Sequence, residues 1–150
     1  MSLNEEGIAR LEKIMLANGK YFYDQAQFGL ATGDCGAVLC AAGFAHLLRI
    51  GEEQLAEEVK RHTERFSIAF CVACERDGAE LLGLDPETIA NISSGSRTLQ
   101  IFSRVEKWPY DLQAAWEKTA TAREKISLYI DMLRNRAQDD GSIREKGERP

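Results

Sequence analysis

The chain has 150 residues, 44% of them hydrophobic, with 19 basic and 24 acidic side chains and a formal charge of −5. A domain of this length buries roughly 70% of the surface its unfolded chain exposes, so it needs no covalent staple to hold a core. The acidic balance supplies no global basic field for nucleic acid or an anionic membrane, and the longest uncharged run, 14 residues over 35–48, is shorter than a membrane span.

Residues 4–30 place Ile8, Leu11, Met15 and Phe22 at three- and four-residue steps, which predicts one long amphipathic helix. Gly33 suits the left-handed position after a helix, and Asp34 suits the cap of the next. Residues 35–50 are apolar all round and rich in glycine and alanine, which predicts a buried central helix ended by Gly51. Residues 52–82 read as a third helix. Its first half has a polar face (Glu57, Lys60, Arg61, Arg65), and its middle, 66–74, is nearly all apolar. Gly83 and the pair Asp85-Pro86 close it, with Pro86 placed for the first turn of a short helix reaching about Ile92. Ser93-Ser94-Gly95-Ser96 is a loop. Residues 98–108 fit a helix better than a strand, and a kink is expected where Trp108 precedes Pro109. From Pro109 the stripe of Leu112, Trp116, Ile126, Ile130 and Leu133 predicts a last helical region to 137. The tail, 138–150, is polar and charged and is expected to be disordered. The expected fold is therefore all-α. It is an antiparallel bundle of four main helices with a short extra helix and a kinked C-terminal helical region, one domain over 1–137.

Four cysteines without a secretory leader read as free thiols in a reducing, cytoplasmic compartment. Cys71 and Cys74 share one helical face, and an antiparallel pairing of 35–50 with 52–82 brings Cys35 toward them. Cys35, Cys71 and Cys74 are thus the candidate ligands for zinc or iron. A separate level pairs Cys40 with His62. Packing is the competing account, because buried free cysteine behaves as a small hydrophobe. Cys35, at a helix start, is the thiol expected to be most reactive. His46 lies among apolar neighbours and reads as a satisfied core histidine. Asn18, Gln25 and Arg123 interrupt apolar stripes, as register-setting or pocket-lining groups do. Trp108, Tyr110 and Trp116 are candidate partner-binding residues. No P-loop, dinucleotide fingerprint, H-E-x-x-H or Glu-x-x-His pair occurs.

The stretch 21–51, YFYDQAQFGLATGDCGAVLCAAGFAHLLRIG, resembles the central helix-turn-helix hairpin of HEPN-type helical bundles and related small prokaryotic families. The resemblance implies a helical hairpin and dimerisation. It does not carry over the ribonuclease, since that family's active motif sets an arginine four to six residues before a histidine. Neither His46 nor His62 has one there. The sequence thus predicts a non-enzymatic module without cofactor, acting by self-association as a homodimer or by binding another protein, with nucleic acid and membrane disfavoured. The alternatives are a cysteine-based metal or redox sensor and a non-catalytic HEPN-like protein linked to RNA or toxin–antitoxin biology.

Overall fold

The computed structural model describes residues 3–17, 21–25, 30–32, 36–92 and 99–147. In chain order the elements are α1 (Glu5–Ala17), β1 (Tyr21–Tyr23), β2 (Leu30–Thr32), β3 (Gly36–Leu39), α2 (Ala41–Ile50), α3 (Glu52–Glu64), α4 (Ile68–Leu82), α5 (Pro86–Ile92), two single 3-10 turns (Gln100–Phe102 and Val105–Lys107), α6 (Tyr110–Glu117) and α7 (Ala122–Asn135). The chain is mostly helical, and no helix among the described residues is long and apolar enough to cross a membrane.

The helix expected over 4–30 ends at Ala17. Beyond it the chain builds a small three-stranded sheet in the order β1-β3-β2, with β1 parallel and β2 antiparallel to β3. Tyr21 and Tyr23 are buried while Phe22 between them is exposed, the two-residue alternation of a strand. The helix expected from Cys35 starts at Ala41, after β3. The segment resembling a helical hairpin is thus strands followed by one helix. The Gly33-Asp34 stop and start and the Ser93–Ser96 loop lie outside the described residues.

α2 is buried along its first seven residues and packs most extensively on α4. Small residues allow that approach: Ala41, Ala42 and Ala45 on α2, and Gly78 and Ala79 on α4, are all buried. Gly7 of α1 comes so close to α4 that a Cβ there would overlap the Leu81 carbonyl oxygen. Leu11, Leu39, Phe44, Leu55, Phe102 and Tyr129 form the fully buried centre.

The helix expected over 52–82 is two. α3 ends at Arg65, whose backbone is extended, and Ser67 caps α4 by accepting the Phe70 N–H at 3.2 Å. Gly83, in the left-handed region, closes α4. The C-terminal region divides in the same way. Thr121 caps α7 by accepting the Glu124 N–H at 3.1 Å, while Glu124 accepts the Ala120 N–H. The tail is a further correction. Ile143 is buried, its N–H donates to Gln100 Oε1 at 2.7 Å, and Ala137 bridges to Ile143, so the chain folds back on itself through Arg144.

Candidate functional site

An apolar helix that carries a histidine must satisfy both ring nitrogens as it buries them. His46, on α2, is 1% exposed. Its Nδ1 lies 2.5 Å from Asp77 Oδ2 on α4, and its Nε2 lies 2.9 Å from Glu58 Oε1 on α3. Arg49, one turn along α2, donates its Nε to the same Asp77 oxygen at 2.7 Å, and Gln54 donates to Glu58 Oε2 at 3.1 Å. A neutral imidazole has one N–H. With both carboxylates ionised, only the imidazolium donates to both, and the four groups His46, Arg49, Glu58 and Asp77 then sum to zero charge. Burial of the ring opposes that charge, but the hydrogen bonds of Asp77 and Glu58 outweigh it and hold His46 above its ordinary value. For Asp77, burial pushes upward, and the bonds from His46 and Arg49 prevail and hold it below.

Glu58, a quarter exposed, reaches solvent on the α3 side of this cluster, as Arg49 does on α2. It lines a groove of about 370 Å³ with Arg61, His62, Arg65, Ala69 and Phe70. His62 Nδ1 accepts the Ser67 N–H at 3.0 Å, which leaves the ring proton on Nε2. Burial lowers the His62 pKa, consistent with a neutral ring. That ring stacks obliquely on Phe66 and Phe70, with centroids 5.1 and 4.8 Å away. Phe66 and Ile68 stand at the elbow between α3 and α4, 70% and 60% exposed.

The cysteines assemble differently from the expected set. Cys35 lies outside the described residues. Cys40, ahead of α2, is near enough to α4 that Cys71 adds to the rise of its pKa and that it adds to the rise of Cys74, because α4 packs along α2. Burial is the main cause in each case and pushes Cys40 to about 12. Among the described residues no group of three histidine, cysteine, aspartate or glutamate side chains is arranged to hold a metal ion. His62 engages Ser67 and two phenylalanines, not the level of Cys40.

The three aromatic candidates separate. Trp108 is buried in a cluster with Trp116, Tyr129 and Tyr23, which removes it as a surface anchor, and its Nε1 has no hydrogen-bond partner among the described residues. Trp116 is half-buried beneath the Lys125 ammonium, 5.3 Å from the ring centroid. Tyr110 is 86% exposed. Gln25 is a buried hub: its Oε1 accepts from Tyr23 Oη and the Ala41 N–H, and its Nε2 donates to the Ser103 carbonyl. Arg123 is exposed, and Asn18 lies outside the described residues.

No protein-family model, curated protein or solved structure matches this chain. What it does must be read from the site. Glu58 and Asp77 escaped sequence reasoning because each looks like one more acid on a polar helix face. The usable signal was His46 itself: a histidine in a run of buried alanines requires two polar partners from neighbouring helices.

Proposed function

We propose that the chain is a non-enzymatic helical module that self-associates through the α3–α4 elbow, with a second copy as its occupant. The observation that carries this reading is Phe66 and Ile68, large apolar side chains standing exposed beside a groove floored by Phe70 and Ala69. An isologous interface needs a protrusion and a recess on one patch, and this patch offers both. Its charges are also self-complementary. The exposed face of α3 is acidic in its first half (Glu52, Glu53, Glu57) and largely basic toward the elbow (Lys60, Arg61, Arg65). Two copies of α3 laid antiparallel across a two-fold axis set the acidic half of each against the basic half of the other.

Sedimentation velocity from low to high micromolar concentration tests this. The expected result is a concentration-dependent dimer that Phe66→Ser combined with Ile68→Ser abolishes while the circular dichroism stays unchanged. A wild-type chain that remains monomeric throughout, or a dimer indifferent to both substitutions, refutes it.

A further inference from the structure

The buried cluster behind the groove ties three helices through one ring: His46 belongs to α2, Glu58 to α3 and Asp77 to α4. We propose that protonated His46 is a clasp on α3, and that loss of its proton releases Glu58 into the groove and frees α3 from α2 and α4. The geometry decides which bond goes. Once one ring proton passes to solvent, a single N–H remains for two carboxylates, and its partner is the one that is harder to leave bare. Asp77 is the more deeply buried, with its side chain 8% exposed against 24% for Glu58. Glu58 can be hydrated through the groove, whereas Asp77 cannot. The remaining proton therefore stays on Nδ1, shared with Asp77, and the Nε2 lone pair turns toward the Glu58 oxygen. What was a charge-assisted bond becomes a repulsive contact between two acceptors, and Glu58 swings outward.

Few other charges compete for the ring. α3 offers Glu58, itself held by Gln54. α4 offers Asp77, the Cys74 thiol influenced by Asp77 and Glu58, and Glu80, which acts on Arg49. α2 itself offers Arg49. Among the described residues α1 and β3 bring no charged group to the imidazole. On α1, Glu5 and Glu12 instead pair with Arg134 of α7. α3 packs on β2 and α2 but buries only Leu55 and Val59 itself, so the clasp is a large part of what holds its inner side. The freed carboxylate also places a negative charge between Arg61, Arg65 and the apolar floor, the surface on which a second copy would sit. That last step, gating of docking, rests on the self-association reading, whereas the clasp stands without it.

The test compares the wild-type chain with Glu58→Gln. A glutamine at this position donates an amide N–H to the neutral ring's Nε2, so the clasp closes without a proton. On dilute protein, amide hydrogen exchange of α3 is measured near pH 6 and near pH 9 and corrected for the intrinsic rate. In wild type, α3 protection is expected to fall several-fold relative to α4 as the linked proton is lost. In Glu58→Gln it stays level. The His46 ring-proton NMR titration should move to lower pH in the variant, as the loss of an adjacent opposite charge requires. Equal exchange responses in the two proteins, or an unmoved titration, overturn the clasp. Sedimentation at the same two pH values addresses the gating separately. Dimer weakening near pH 9 in wild type but not in Glu58→Gln supports it, and a pH-independent dimer overturns it. If no dimer forms at either pH, self-association fails, and the exchange result still decides the clasp.

Discussion

Glu75 gives the sharpest test of how burial governs this molecule. It sits on α4 at 4% exposure, and its Oε1 accepts the Leu99 N–H at 2.5 Å. Burial raises its carboxyl from 4.5 to about 7, with the Leu99 amide pulling weakly the other way. The folded value is the higher one. Between the two values the unfolded chain therefore binds fewer protons than the folded chain, and stability falls as pH rises. The contribution is complete below about pH 4.5 and is lost through about pH 7. At roughly 1.4 kcal/mol per unit, the ionised carboxylate costs the fold about 3 kcal/mol at pH 8. Glu75→Gln removes the charge and keeps the acceptor for Leu99. Its new amide N–H, if left without a partner, costs about 1 kcal/mol. The variant should accordingly be about 2 kcal/mol more stable than wild type near pH 8, and about 1 kcal/mol less stable below about pH 4.5. Urea unfolding at the two pH values reads both numbers from the midpoint, provided the slope is unchanged. A difference of the same sign at both pH values would refute the reasoning, because a packing effect has no proton to follow.

Other substitutions separate the remaining forces. Asp77→Asn leaves one carboxylate for two cationic partners. It should cost about 3 kcal/mol near pH 6, the low end for a broken buried pair because the substituted amide's oxygen still accepts one bond. The loss should shrink as pH rises and His46 gives up its proton; an identical urea-midpoint shift near pH 6 and near pH 9 would contradict this. Gly7→Ala sets a helix-propensity gain of about 1 kcal/mol against an overlap of about 1–3 kcal/mol with the Leu81 carbonyl oxygen. The overlap should win and lower the melting temperature by a few degrees, and a rise would show that α1 is free to shift. Of the three thiols described, Cys71 is the partly exposed one and should react with a disulfide reagent first. Cys40, pushed to about 12, is thiolate to only about one part in ten thousand near pH 8, so its labelling should follow unfolding. Rapid labelling of Cys40 in the folded protein would overturn its placement.

The helices that could be read from sequence were those whose ends carry chemistry visible in one dimension. Gly51, Gly83 and Pro86 stand at the boundaries where they were expected. Ser67 and Thr121 cap helices just as well, but each lies inside a stretch whose apolar residues continue in helical step, so the stop was hidden. The strands were hidden for a different reason. Three or four residues such as 21–23 or 36–39 are too short for a period of two to stand apart from one of 3.6, and nothing local tells that β1 will pair with β3 rather than with β2, its neighbour in sequence. The site inherits both problems. Breaking 52–82 at Ser67 turns α4 back along α2, which moves Cys71 and Cys74 beside Cys40 and brings Asp77 to His46. A continuous helix would have sent Cys71, Cys74 and Asp77 to other neighbours.

The titrating groups of α4 also predict where the molecule loosens. Asp77, held below its ordinary value, contributes stability that is present above 3.8 and lost as pH falls through its folded value. Glu75 and His46, both raised, lose theirs as pH increases, so stability should be greatest in mild acid. Both alkaline losses act at α4 or its partners: through Glu75 on the segment that begins at Leu99, and through His46 on α3. α1 packs on α7 as well as on α2 and α4, and the surface pair of Arg134 with Glu5 ties α1 to α7 without a histidine or a buried acid. Near pH 9, exchange should accelerate in α3 and in residues 99–102 while α1 and α7 keep their protection. If protection instead falls evenly everywhere, the proton losses act through global unfolding, and α3 does not open as a separate unit.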